Sequence, residues 1–263
     1  MRIELLSSLL IYRRAVVLGA LAVVSAAAWA YLLLSGGIQV EMMETYGQMM
    51  AMQPRWNLPY AVLMAVIWVV MMMAMMLPSA APTVLLVTAL AGDRLGNSNL
   101  IPATAMLFAS GYLLVWCGFS IAATLLQWGL DNVRLLSQSM AFANATLACT
   151  VLIAAGAYQW TPLKDACLRH CRSPTEFVIR HWRGGALGAV SIGVRHGLFC
   201  LGCCWMLMAL LFVGGLMNLA WVGAIALLVF LEKTAPRGDW MSRFTGLLLT
   251  GWGAADLITL VMK

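Results

Sequence analysis

Residues 184–212 read GGALGAVSIGVRHGLFCLGCCWMLMALLF. This apolar run exceeds the roughly 20 residues that one membrane-spanning helix needs. Arg195 and His196 interrupt it. The run is therefore either one strongly tilted span or a short interfacial piece followed by a span that begins near Arg195. Ionisable and thiol side chains are costly inside such a helix, so their presence here indicates a function.

Four side chains of this run lie on one side of the predicted helix. At about 100° per residue, His196, Cys200 and Cys203 fall on one narrow stripe, and Cys204 lies at its edge. Three thiols and an imidazole form a soft-ligand set that suits Cu(I) or Zn(II). A lone buried cysteine usually acts as a small hydrophobic residue, but that interpretation does not explain the imidazole. We therefore treat the stripe as a candidate metal site.

The composition identifies the class of protein. Hydrophobic residues make up 63% of the chain and charged residues only 10%, whereas soluble proteins carry about 25% charged residues. This predicts an all-α, polytopic transmembrane helical bundle with about seven spans, in contact with membrane lipid. The net charge of +6 comes from basic residues clustered in loops. That distribution is typical of membrane orientation, and we expect no nucleic-acid partner.

The basic residues also predict the orientation. Arg2, Arg13 and Arg14 precede the first apolar run, which places the N-terminus inside. The excess of Lys and Arg in residues 159–183 marks the same side. We therefore expect a multi-pass protein of the cell inner (cytoplasmic) membrane. Residues 1–58 would form the first transmembrane helix and a Met-rich outer segment, and residues 59–263 a metal-binding-like membrane domain with about six spans.

Methionine is unusually frequent, with 19 residues in the chain. In the second apolar run, residues 59–91, Pro78 and Pro82 are expected to kink or divide the helix. One face of that helix consists mostly of methionines. Its residues are Met64, Trp68, Met71, Met72 and Met75, with Met76 at its margin. Thioethers bind Cu(I), and methionine also packs well in cores. Both interpretations stay open for this face.

A second pair of thiols lies in the basic segment. Thr161 and Pro162 predict the start of a short helix, on which Cys167 and Cys171 share one face. Lys164 lies one turn earlier. Cationic neighbours lower thiol pKa values, so we expect reactive or metal-competent cysteines. The alternative is two unrelated thiols on an amphipathic surface helix.

Glu232 ends the predicted sixth span, next to Lys233. A carboxylate at this position is either an ordinary interfacial charge or an inward-facing partner for a proton or a metal ion. Both interpretations keep Glu232 among the candidate site residues.

Three segments together resemble a known group of proteins. They are residues 68–82 (WVVMMMAMMLPSAAP), residues 156–174 (GAYQWTPLKDACLRHCRSP), and residues 197–233, which contain CLGCCW, MNLAW and a terminal Glu-Lys pair. The chain resembles a bacterial domain-of-unknown-function family, described as predicted metal-binding integral membrane proteins. The resemblance implies a polytopic helical protein with a metal site, and it implies no reaction.

The sequence thus favours a binding protein over an enzyme. We expect it to bind a soft transition metal, with Cu(I) preferred and zinc as the alternative ion, for copper handling or cuproenzyme metallation. Cys200 and Cys203, with His196 or Cys204, would form the main site. The methionine face would be a weaker route, and Cys167 and Cys171 would exchange metal with a donor protein. A metal acceptor protein is the other expected partner.

Two other functions fit the same residues. A membrane thiol-disulfide oxidoreductase would cycle the Cys200/Cys203 pair with the Cys167/Cys171 pair, because Cys-x-x-Cys at a helix start is also a redox arrangement. A non-catalytic membrane subunit would use the same cysteines and methionines for packing alone.

The predicted topology is testable with reporter fusions. Ser137 lies in a predicted outside loop and Arg172 in the basic segment assigned to the inside. Fusions at these two residues, made with one reporter active only outside and one active only inside, should report opposite sides. The seven-span arrangement is wrong if both fusions report the same side.

Overall fold

The computed structural model describes residues 15–34, 56–95, 100–137, 139–173, 175, 178–179, 185–235 and 238–262. Within these ranges the regular secondary structure is helical, apart from one isolated β-bridge between Leu136 and Phe142. The all-α prediction is confirmed. In chain order the helices are α1 (Ala15–Leu34), α2 (Leu58–Leu95), α3 (Leu100–Asn132), α4 (Ala145–Tyr158), α5 (Pro162–Arg172), α6 (Ala186–Ala209), α7 (Leu211–Gly214), α8 (Leu219–Thr234) and α9 (Gly238–Val261).

Five segments in the described residues are long and apolar enough to cross a membrane: α1, α2, α3, α6 with its extension α7, and α9. The protein is therefore a membrane protein, as predicted. Helices α4 and α8 contain 14 and 16 residues, which at 1.5 Å per residue gives about 21 and 24 Å, less than the roughly 30 Å hydrocarbon core. The count of seven spans stays a prediction. The basic N-terminus and the Met-rich outer segment lie outside the described residues.

Helix α2 passes through both of its prolines as one helix of 38 residues, so of the two expected effects, a kink or a division, the division is wrong. Pro78 has no N–H, which removes the helical hydrogen bond to the carbonyl of Ala74. The hydroxyl of Ser25 on α1 donates to that carbonyl oxygen instead, at 3.2 Å in a buried position. In a membrane core a freed carbonyl needs such a replacement donor. This contact joins α1 to α2 at the proline.

Glycine brings α3 and α6 into close contact. A Cβ atom added to Gly193 of α6 would lie 2.1 Å from the carbonyl oxygen of Phe108, and one added to Gly111 of α3 would lie 2.3 Å from that of Val190. Small residues at helix contacts allow such close backbone approach in membrane proteins. The contact places Tyr112 of α3 beside the cysteine-bearing half of α6.

Helix α5 matches its prediction. Thr161 is the N-cap and its hydroxyl accepts a hydrogen bond from the backbone N–H of Lys164 at 3.3 Å, with Pro162 in the first turn. Cys167 and Cys171 are both buried on the same face as Lys164. Helix α5 packs so closely on α6 that a Cβ atom on Gly202 would lie 2.7 Å from the Cys167 sulfur.

The Ser25 contact predicts a specific stability coupling. Ser25→Ala should lower the free energy of unfolding by about 1–3 kcal/mol, because it leaves the buried Ala74 carbonyl without a donor. Pro78→Ala restores the backbone N–H, so Ser25→Ala should cost much less in that background. Denaturation in detergent of the wild type, both single variants and the double variant measures the coupling. Equal effects of Ser25→Ala in both backgrounds would contradict this account.

Candidate metal centre

Four cysteines from two helices form what we call the thiol cluster: Cys171 of α5 with Cys200, Cys203 and Cys204 of α6. All four are buried. The Sγ atoms of Cys171 and Cys203 lie 4.0 Å apart. Two sulfur ligands of one tetrahedral ion, each at about 2.3 Å, lie about 3.8 Å from one another. The packing of α5 on α6 therefore holds these two sulfurs close to the separation that a shared ion requires.

Two thiols of the cluster are hydrogen-bonded to their own helix. The Cys203 and Cys204 thiols donate to the backbone oxygen of Cys200, at 3.1 and 2.9 Å. Within the described ranges, no group of three or more His, Cys, Asp or Glu side chains already has a geometry that could hold a metal ion. A third ligand from this set would require loss of a thiol proton and rotation of a side chain.

Cys200 contacts two polar groups that were not among the candidate site residues predicted from the sequence. The ammonium group of Lys233 donates to its sulfur at 2.9 Å, and the Tyr112 hydroxyl lies 3.0 Å from the same sulfur. Lys233 is only 7% exposed and also donates to the Ser79 hydroxyl at 3.3 Å. An ammonium group in contact with sulfur stabilises negative charge on it. The signal in the sequence was a lysine in the last turn of an apolar helix, which indicates a function in a membrane protein.

The methionine face of α2 reaches the thiol cluster at one end. Met71, Met72, Met75 and Met76 are all buried, and the sulfur of Met76 lies 3.8 Å from the Lys233 ammonium group. Lys233 thus contacts both a thiol and a thioether. The structure brings the predicted methionine face and the predicted cysteine stripe to one place.

His196 lies one turn before Cys200 on α6 and is buried. Its ring packs between those of Phe108 and Tyr112, with ring centroids 5.8 and 5.7 Å away. The imidazole therefore lies in an aromatic environment on α3. Tyr112 contacts both this ring and the Cys200 sulfur, which links His196 to the thiol cluster.

Glu232 faces inward and is buried. Its Oε2 atom lies 2.7 Å from the Lys164 ammonium group, in an ion pair between α8 and α5. Lys164 also donates to the side-chain oxygen of Gln159, and that oxygen accepts a hydrogen bond from Ser242 at 3.0 Å. In the described part of the chain, Glu232 Oε1 has no hydrogen-bond partner. Glu232 therefore fixes α5 in place through Lys164.

The prediction of lowered thiol pKa values on α5 is wrong. Burial raises the pKa of the Cys167 thiol, and the nearby Cys203 sulfur raises it further. Hydrogen bonds to the sulfurs of Cys200 and Cys203 hold the pKa of Cys171 well above its usual range. The expected cation, Lys164, is bound to Glu232 and is not available to the thiols. Both α5 cysteines are therefore protonated thiols at neutral pH.

The position of Cys200 also contradicts one argument for the redox interpretation, namely that the Cys-x-x-Cys pair lies at a helix start. Helix α6 begins at Ala186, so the Cys200/Cys203 pair lies in its second half and not at a helix start. The helix dipole that lowers the thiol pKa in redox motifs at helix N-termini does not act here. All seven cysteines lie in the described residues, and each is a free thiol.

A cavity of about 350 Å³ opens beside the thiol cluster, where α5 and α8 end. Lys233 lies on its wall and also contacts the Cys200 sulfur. The cavity therefore reaches the lysine that contacts the cluster. Its walls are formed by Arg169, Arg172, Ser173, Lys233, Thr234, Ala235 and Asp239.

Comparison with known proteins adds one result. No curated protein matches the chain, and no solved structure matches it. A family model described as PpoB2, copper chaperone, matches residues 64–255. The matched region contains the methionine face, α5 and the thiol cluster, and it confirms the resemblance to a metal-binding family. The chain belongs to the PpoB2 copper chaperone family.

Proposed function

We propose that this protein binds Cu(I) within the membrane at the thiol cluster and delivers it to a cuproprotein. The observation that carries the proposal is the buried pair of Cys171 and Cys203 sulfurs, 4.0 Å apart, beside a Cys200 sulfur in contact with a lysine. Buried sulfurs from two helices suit a soft ion, and copper is the cargo of the family. The inner membrane is the proposed location.

Charge balance favours a monovalent ion in this site. Two thiolates carry two negative charges, Cu(I) carries one positive charge, and the buried Lys233 ammonium group supplies another. The loaded site is then neutral, which lowers the cost of keeping it away from water. Zn(II) with the same two thiolates would leave a positive charge, and it would need a third thiolate.

We assign the α5 cysteines and the methionine face to metal transfer. Cys167 and Cys171 lie on α5, whose last turn forms part of the cavity wall, and would accept copper from a donor protein. The methionine face begins at Met76, beside Lys233, and would carry the ion onward. Thioethers are neutral ligands, so they hold Cu(I) less tightly than thiolates and allow it to move.

A thiol-disulfide oxidoreductase is the second candidate function. The closeness of the Cys171 and Cys203 sulfurs favours it, because a modest shift would bring them to the roughly 2.05 Å of a disulfide. The raised pKa of Cys171 gives no preference between the two functions, since the thiolate is both the attacking form and the metal ligand. A stable Cys171–Cys203 disulfide in cells at steady state would support the oxidoreductase over the copper protein.

Removing one cluster thiol should abolish tight copper binding. Cys200→Ser and Cys203→Ser each replace a soft sulfur with a hard oxygen, and we expect the high-affinity Cu(I) site to be lost while the helical circular dichroism spectrum is retained. Competition with a Cu(I) chelator of known affinity measures the loss. Cys149→Ser is the matched control, because Cys149 is buried on α4 outside the cluster. Wild-type affinity in either cluster variant would contradict the proposal.

X-ray absorption spectroscopy of the metal-loaded wild-type protein identifies the bound ion. A copper shell with two or three sulfur ligands supports the assignment. A tetrahedral zinc shell, or the absence of bound metal, would contradict the copper assignment.

The methionine face should affect transfer more than binding. Replacing Met71, Met72, Met75 and Met76 with Leu keeps the side-chain volume and removes the thioethers. The thiol cluster should still bind Cu(I), while the release of Cu(I) to an acceptor chelator should become slower. Met208→Leu, a buried methionine of α6, controls for core substitution. Unchanged release in the fourfold variant would show that the face only packs.

A further inference from the structure

The surface cavity where α5 and α8 end lies at one edge of the membrane-spanning region. Its wall residue Asp239 belongs to the first turn of α9, one of the helices long and apolar enough to span a membrane. The next residue, Trp240, is 70% exposed, and its ring stacks on that of Phe244 with ring centroids 6.0 Å apart. Tryptophan at the end of a span is typical of the membrane–water interface. The cavity therefore lies at the level of the lipid headgroups.

The cavity wall carries more positive than negative charge. Arg169, Arg172 and Lys233 line it together with one carboxylate, that of Asp239. Arg172 pairs with this carboxylate at 2.6 Å and also donates to the carbonyl oxygen of Ala235 at 3.0 Å. An anion that enters the cavity would therefore meet no unpaired carboxylate.

Arg169 supplies the positive charge that remains. Its side chain is exposed, and within the described ranges no ion pair joins its guanidinium group to a carboxylate. Ser173, four residues later, adds a hydroxyl group to the same wall. Lys233 adds a second positive charge at a buried part of the wall, although its ammonium protons are directed to Cys200 and its neighbours. The donors left for a ligand are thus those of Arg169 and Ser173.

The geometry points to a binding site for the headgroup of an anionic phospholipid, with Arg169 as the residue that binds the phosphate. A guanidinium group donates two parallel hydrogen bonds to a phosphate, and basic pockets between helices at the membrane surface bind anionic headgroups. The volume of about 350 Å³ is that of a small-ligand pocket. It suits one headgroup whose acyl chains stay in the lipid beside Trp240 and Phe244. This site does not depend on copper or on the proposed function.

Native mass spectrometry of the full chain tests the binding. Delipidated protein in detergent is mixed with equal amounts of phosphatidylglycerol and phosphatidylcholine, which both carry a phosphate but differ in net charge. We expect one phosphatidylglycerol to be retained in preference to phosphatidylcholine. Arg169→Gln should lower its affinity by roughly fivefold. Arg243→Gln is the matched control, because it removes the same charge from an exposed position of α9 outside the cavity, and it should leave the affinity unchanged.

Asp239→Asn should change the affinity in the opposite direction. It removes the carboxylate from the wall and releases Arg172, so phosphatidylglycerol should bind more tightly than it does to the wild type. The ion pair that this substitution breaks is open to solvent, with 57% of the Asp239 side chain exposed, so the fold should be retained. A merely structural role of these residues would not produce opposite effects on lipid binding.

Inorganic phosphate, added at the same concentration as the lipid, distinguishes a lipid headgroup from a free anion. It should not displace phosphatidylglycerol, because it gains nothing from the lipid beside the cavity. The inference is overturned if both lipids bind equally, if Arg169→Gln and Arg243→Gln have the same effect, or if inorganic phosphate displaces the lipid. Loss or retention of Cu(I) binding in the cysteine variants has no bearing on these outcomes, so the two proposals fail independently.

Discussion

The buried contact between Lys233 and the Cys200 sulfur, 2.9 Å long, is the interaction on which the rest of the arrangement depends. An ammonium group in an apolar bundle is costly unless another group compensates its charge. A thiolate provides that compensation and requires a cation in return. The neighbouring residue, Glu232, forms the second buried charged contact, with Lys164 of α5 at 2.7 Å. Two adjacent residues of α8 thus fix α6 and α5, the two helices that carry the thiols. Both helices that carry the Cys171 and Cys203 sulfurs are therefore in polar contact with α8.

Helical periodicity explains what the sequence could predict. The burial of Met71, Met72, Met75 and Met76 and the shared face of Cys167 and Cys171 follow from residue spacing within one helix. The capping role of Thr161 is equally local. The ion-pair partner of Lys164 and the contacts of Lys233 could not be predicted, because those partners lie on helices distant in sequence. The expected lowering of the α5 thiol pKa values failed for this reason, since it assumed that Lys164 acts on its sequence neighbours. The continuity of α2 through Pro78 was missed because the replacement donor, Ser25, belongs to α1.

Close helix packing keeps the cysteine-bearing part of α6 in a fixed position. At Gly193 the backbones of α3 and α6 approach until no Cβ atom fits between them, so α6 cannot rotate without separating from α3. Tyr112 on α3 is held against Cys200 by the same contact. A binding site built on rigid helices retains its ligand positions better than one built on loops. Metal exchange in such a site depends on side-chain rotation, for which the flexible methionines of α2 are suited.

The hydrogen bond from Ser25 to Ala74 also bears on how the protein assembles. Helix α1 lies outside the region that matches the copper chaperone family, which begins at residue 64. During synthesis α1 is made before α2, so it is already present when α2 emerges with a carbonyl that Pro78 has left without a partner. The N-terminal helix can then act as an internal assembly factor, which supplies a donor that the rest of the chain needs as it enters the lipid. The order of the helices along the chain is thereby matched to the order of insertion.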